Sequence, residues 1–264
     1  TQVGIDKIQP AGLDAIRRVG LEYRDGEEVT ERTRAIKTEH ELRAMRCAIY
    51  SCERSMAVME EFASTEIPKG GNTEDDVWAV FHAENIKRGG EWIETQLLTS
   101  GPRTNPWFQE CSNTIIQEGE LVAFDTDMVG PYGYCADISR TFVEGKKFSN
   151  YQNKIHNLAY ENVKYNEQLI QPGLSFREFA EKAWQLPDNC FDNHYPCQIH
   201  GVGMSDEWPY IGYPDEDYSN GDYSGTFQEN MVVCVESYIG EVGANEGAKL
   251  EDQYLVTDKG LELL

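Results

Sequence analysis

Positive charge is scarce in this chain: 23 lysines and arginines stand against 46 aspartates and glutamates, a formal net charge of −23 over 264 residues. A field of that sign repels nucleic acid and anionic lipid, so neither is expected as a partner. Long apolar runs are also missing. No stretch approaches the roughly 20 apolar residues that a membrane helix requires, so the chain reads as soluble, with no membrane partner. Paired cysteines are a third absence. The seven cysteines (Cys47, Cys52, Cys111, Cys135, Cys190, Cys197 and Cys234) are odd in number and form no Cys-x-x-Cys. A chain this long does not depend on disulfide staples, so reduced thiols and a cytoplasmic location are expected, with Cys47, Cys135 and Cys234 in the core.

What is present is enough apolar material, 40% of residues, for one large domain or two small ones. Residues 1–36 offer a short helix around GLDAIRRVG and then the polar run RDGEEVTERT, which reads as a linker. From Thr38, apolar residues at Leu42, Met45, Ile49, Cys52, Met56 and Met59 predict a long amphipathic helix. A Pro-Gly break follows, then Asn72 as the expected N-cap of a helix ending at Gly89–Gly90. The pattern returns with NYQNKIHNLAYENVKYNEQLI, another Pro-Gly break, Ser175 as a cap and a short helix. Strand-like segments follow each copy. This weak internal duplication implies two α+β halves whose strands join in one sheet with helices outside. A site between such halves draws residues from both.

Acids stand inside those strand-like segments. In AFDTDMVGPYGYCADISRTF, Asp125 and Asp127 are two apart and so are expected on one strand face, while Gly130, Pro131 and Gly133 turn the chain back and bring Asp137 beside them. In the second half Glu236 interrupts the apolar run MVVCVESYI, and Glu251 lies in KLEDQYLVT. His200 sits in QIHGVGM, whose small glycines are expected to let a metal or ligand approach. Each residue alone has an ordinary reading: a solvated strand face, a core histidine, or an ion pair between Glu251 and Lys249 two positions before it. Together, five carboxylates and one imidazole spread over both halves favour a two-metal site. Oxygen-rich ligation with one nitrogen suits iron, manganese, cobalt or zinc.

Four ordered segments, GELVAFDTD…GYCADISRTF, IHGVG, ENMVVCVES and KLEDQYLVTDKG, resemble the metal-ligand segments of the pita-bread superfamily of methionine aminopeptidase, aminopeptidase P, prolidase and creatinase. The resemblance runs from about Arg34 to the C-terminus. It implies an α+β, pseudo-two-fold pita-bread fold with a curved, mostly antiparallel sheet, a homodimer, and a dinuclear site of divalent ions (iron favoured) from Asp125, Asp127, Asp137, His200, Glu236 and Glu251. Residues 34–264 are then the catalytic domain, and residues 1–33 a linker or remnant of an N-terminal domain. The peptidases carry aspartate at the position of Thr126, which Asp125 and Asp127 flank here. Their HEEP-like stretch reads DEWP here, with Asp206 in place of a histidine, and NPWFQE offers Trp107 where a further histidine is expected.

Those departures most resemble the DddP-type dimethylsulfoniopropionate lyases. They imply β-elimination of a small zwitterionic substrate to dimethyl sulfide and acrylate, with Asp206 as general base and Trp107, Tyr195 or Trp208 facing the sulfonium. An Xaa-Pro metalloaminopeptidase or prolidase-like hydrolase is the alternative.

Overall fold

The computed structural model describes residues 2–214 and 224–264. In chain order the elements are β1 (Gln2–Ile5), α1 (Pro10–Arg18), β2 (Glu22–Asp25), α2 (Glu27–Ala35), α3 (Glu39–Glu66), α4 (Glu74–Lys87), β3 (Trp92–Ile93), β4 (Leu98–Ser100), β5 (Leu121–Asp125), β6 (Met128–Val129), β7 (Cys135–Ala136) and β8 (Ser139–Val143). The second half adds α5 (Asn150–Leu169), α6 (Phe176–Lys182), β9 (Cys197–Val202), β10 (Asp206–Gly212), β11 (Val232–Ile239), β12 (Ala248–Thr257) and β13 (Gly260–Leu263).

The duplication is visible in how the helices start. Thr38, Thr73, Ser149 and Ser175 cap α3, α4, α5 and α6, each with a reciprocal bond to the acid or amide three residues on. The α4 cap is Thr73 rather than Asn72, because the Asn72 amide is committed to the Glu66 carbonyl at 2.8 Å. In each half the cap of the shorter helix also bridges to the segment leading into a central strand, Thr73 to Ile115 and Ser175 to Thr226.

Strands β10-β9-β11-β12-β13 form one antiparallel sheet, with β4-β5-β8 and β3-β6-β7 as smaller antiparallel sheets. The long helix α3 buries Met45, Ile49, Cys52 and Met59, on the predicted stripe. A large apolar side chain buried in this way contributes roughly 1.5–3 kcal/mol. Helices α3 and α4 pack on β5, while α5 and α6 pack on β11. The two halves meet where β8 meets β12: the Thr141 hydroxyl donates to the Lys249 carbonyl at 2.8 Å and accepts the Lys249 N–H at 3.0 Å. Cys135 and Cys234 are in the core, but Cys47 is exposed, because its position falls outside the α3 stripe.

The run read as a linker is ordered. Residues 27–35 form α2, which packs against β10, and β1 pairs with β2 in parallel. Polarity hid this helix, since among its residues only Ala35 is buried.

Candidate metal centre and cavity

Asp125 closes β5, and the strand stops there. Thr126 is turned inward, where its hydroxyl accepts from the Ile138 N–H at 2.9 Å and donates to the Ala136 carbonyl at 3.0 Å. Asp127 has φ 33, in the left-handed region. The convergence of Asp125 and Asp127 therefore comes from this kink and not from strand alternation, and a non-glycine residue held so costs on the order of 1–3 kcal/mol. The Thr95 hydroxyl donates to the Asp127 carboxylate, and the Asp127 N–H donates to Asp137 at 3.3 Å. The carboxylates of Asp125, Asp127 and Asp137 each place an oxygen within 4.8 Å of the others.

The second half supplies the facing wall. Glu236 on β11 pairs in register with Glu251 on β12, and His200 on β9 pairs with Cys234 on β11. The His200 Nε2 lies 2.9 Å from Glu251, 3.4 Å from Asp137 and 3.7 Å from Glu236, while Nδ1 faces the Gly201 carbonyl at 3.1 Å. With Nδ1 turned to that carbonyl, Nε2 faces the carboxylates, where a metal ion would take the place of its proton. The glycines flanking His200 serve β10 instead of a ligand. A Cβ on Gly201 would stand 2.3 Å from the Trp208 carbonyl oxygen, and one on Gly203 2.0 Å from the Glu207 carboxylate.

Lys249 is the residue whose role the sequence left as a simple pair. Its Nζ is wholly buried and lies 2.7 Å from Glu251, 2.8 Å from Glu236 and 3.1 Å from Asp125. Five ionised carboxylates against this one ammonium would leave an excess of negative charge that divalent cations could neutralise. Burial raises the pKa of Asp125, Asp127 and Asp137, and raises Glu236 to about 7. Burial pushes Glu251 up as well, but Lys249 and His200 overrule it and hold it below its ordinary value. For His200, burial works against charge, yet Asp206, Glu251 and Glu236 keep its pKa well above 6.5. Oε1 of Glu236 is buried without a hydrogen-bond partner. That orphaned oxygen and the surplus of hard donors fit divalent metal ions. The Cys234 thiol lies in the same cluster as Asp137, His200 and Glu251, donating to the Asp137 carbonyl at 3.5 Å.

Above these residues opens a cavity of about 300 Å³. Asp206, at the start of β10, lines it with its carboxylate 3.7 Å from Nδ1 of His200 and its side chain 39% exposed. Tyr195 and Trp208 line it too. Trp107 is not in the cavity lining; it packs behind it with Leu97, Ala123 and Tyr238, its ring centre 6.0 Å from the Lys249 ammonium. Its neighbour Phe108 is in the cavity wall instead, at φ 77 and stacked on Tyr195 with ring centres 5.8 Å apart. The sequence offered Trp107 and gave no sign of the left-handed backbone that sets Phe108 in the wall. Glu27 and Glu31 of α2 also line the cavity, and no motif marked them.

Comparison with known proteins agrees with this geometry. The model of metallopeptidase family M24 matches residues 43–258. The prolidase from Pyrococcus furiosus superposes with a TM-score of 0.83 at 22% identity, over 99% of this chain and 75% of that one. The dimethylsulfoniopropionate lyases DddP of Roseovarius nubinhibens and Roseobacter denitrificans are 48% and 43% identical over the whole of this chain, which spans 59% of each.

Proposed function

The chain belongs to metallopeptidase family M24, with the pita-bread fold of that family, and from that premise we propose that it is a metal-dependent carbon–sulfur lyase converting dimethylsulfoniopropionate to dimethyl sulfide and acrylate. The observation that carries the reading is Asp206, a carboxylate in the cavity 3.7 Å from His200 at the place where the peptidases keep a histidine. The likeness to the two lyases supports it.

Asp125, Asp127, Asp137, His200, Glu236 and Glu251 would hold two divalent ions, iron by preference, with manganese, zinc or cobalt as alternatives. Such ions supply charge that binds a substrate carboxylate and acidifies the proton α to it. Asp206 takes that α-proton. The released electron pair forms the Cα–Cβ double bond, the Cβ–S bond breaks, and sulfur leaves with its bonding pair as neutral dimethyl sulfide. The partial exposure of Asp206 lets it return the proton to water. Tyr195 and Phe108 offer rings to the sulfonium, an attraction worth roughly 0.5–2 kcal/mol per ring, whereas the Trp208 ring packs on Phe176 beneath the Arg32 guanidinium. The negative wall at Glu27 favours the same cationic end.

Hydrolysis of Xaa-Pro peptides is the second reading, favoured by the prolidase superposition. Imidazole passes protons near neutral pH more readily than a carboxylate, so an aspartate at position 206 weighs against it. The proposal extends to a reducing cytoplasm, for which the seven free thiols are the support, and, from the family resemblance alone, to a homodimer. Headspace detection of dimethyl sulfide from metal-loaded protein, beside an assay of Xaa-Pro dipeptides, separates the readings. Sulfide with no dipeptide cleavage is expected, and the reverse overturns the assignment.

A further inference from the structure

Three consecutive residues, Asp206, Glu207 and Trp208, open β10. The register of β10 against β9 shifts between Glu207 and Tyr210, so the sheet does not hold the Trp208 N–H in its regular ladder. Helix α2 supplies what the ladder leaves out. Oε2 of Glu31 accepts the Trp208 N–H at 2.5 Å, and the Arg32 guanidinium lies 4.7 Å over the Trp208 ring. Arg34 reaches Glu207 at 2.5 Å and Lys37 reaches its other oxygen at 2.6 Å. The Glu207 and Lys37 side chains are 1% and 2% exposed, so their ion pair is dry.

The clamp is itself anchored. The Lys37 N–H donates to the Asn230 carbonyl at 2.8 Å, and Ile36 bridges to Met231 just before β11, the strand that carries Glu236. Arg34 also pairs with Glu31, which closes the ties into a ring rather than leaving separate contacts. A salt bridge on a surface does little to fix geometry. A buried, bidentate carboxylate with two cations on a shifted strand fixes its own backbone and therefore that of the adjoining residue.

We infer that the segment Glu31–Lys37 positions Asp206: the Glu31–Trp208 bond and the Lys37–Glu207–Arg34 ion pairs hold β10 so that the Asp206 carboxylate stays over His200. This rests on the proposed lyase reading for the role of Asp206, but the clamp itself does not. Glu31, Arg34 and Lys37 are positioning residues, acting through Glu207 and Trp208. Positional error of about 1 Å at a reacting group can lower a rate on the order of 100-fold. Substrate binding at the far, carboxylate-rich end of the cavity does not depend on this segment.

The test uses metal-loaded protein carrying Lys37→Met, Lys37→Arg or Glu31→Ala, the last guarding against a Lys37→Met chain that does not fold. Amide hydrogen exchange over residues 203–212 is measured beside kcat, KM and bound metal. Exchange at 206–208 is expected to rise in Lys37→Met and Glu31→Ala, with kcat lower by about 10–100-fold, KM within about threefold and metal content unchanged. Lys37→Arg is expected to restore most of both. Unchanged exchange at 206–208, or faster exchange with kcat intact, overturns the inference, as does loss of metal in step with activity. Wild-type protein that releases no dimethyl sulfide overturns the lyase reading alone, and exchange then still decides whether the clamp exists.

Discussion

Lys249 and Glu251, two positions apart on one face of β12, form a fully buried ion pair of 2.7 Å inside the ring of candidate metal ligands. The same ammonium reaches Glu236 on β11 and Asp125 on β5, so one lysine ties both halves of the fold together. Lys249→Met leaves three buried carboxylates short of their nearest cation. Removing one partner of a buried pair costs about 3–5 kcal/mol. Urea unfolding in chelator is expected to lose about that much stability, with part recovered on adding divalent metal. Unchanged stability in chelator would assign Lys249 no such role.

A pH dependence follows from the raised carboxyls. Burial lifts Glu236 from 4.5 to about 7 and lifts Asp127 and Asp137 well above 3.8. A group raised on folding favours the folded chain fully below its unfolded pKa and loses that contribution as pH climbs through its folded value. For Glu236 the window is about 4.5 to about 7. His200 is raised and acts in the same direction, while Glu251 is lowered and contributes above its unfolded value. Metal-free protein should therefore lose Tm across this window, and the Tm gained on adding metal should grow from about pH 5 to about pH 8. Differential scanning calorimetry at matched ionic strength checks this, and a gain that shrinks with rising pH contradicts it.

Asp206→Asn keeps the shape of the side chain and removes its basicity. A positioned general base contributes about 10²–10⁴ in rate, so kcat for dimethyl sulfide release is expected to fall by that order while bound metal stays constant. Retained activity removes Asp206 from the chemistry.

The two neighbouring aromatics should separate cleanly. Phe108→Ala takes a ring from the cavity wall and is expected to raise KM about 2–5-fold, as loss of one cation–π contact would, with Tm nearly unchanged, because the Phe108 side chain is largely exposed. Trp107→Ala opens a void among Leu97, Ala123 and Tyr238 and is expected to destabilise by about 3–5 kcal/mol. Steady-state kinetics and thermal melts distinguish them, and a KM effect confined to Trp107 would reverse the assignment.

The contrast between Phe108 and Trp107 also shows where sequence reading stops. Helical spacing placed Met45, Ile49, Cys52 and Met59 on a buried stripe, because burial imposes period on sequence. Titratable residues within apolar segments marked Asp137, His200, Glu236 and Glu251 as candidates, because unpaired charge there is costly. Backbone kinks leave no such trace: the turn at Asp127 and the left-handed Phe108 are set by tertiary contacts. Helix α2 was invisible for another reason, since it meets β10 through ion pairs and not through an apolar face. Lys249 could be paired with Glu251 from spacing, but its reach to Asp125 and Glu236 depends on how β12 sits against β5 and β11.

Elemental analysis of protein purified without chelator, paired with its activity before and after metal removal, bears most directly on the candidate metal centre. Two divalent ions per chain are expected, with dimethyl sulfide release lost on chelation and regained on reloading. Protein that binds no divalent metal at micromolar concentrations, or that works equally well without it, would contradict the assignment of Asp125, Asp127, Asp137, His200, Glu236 and Glu251.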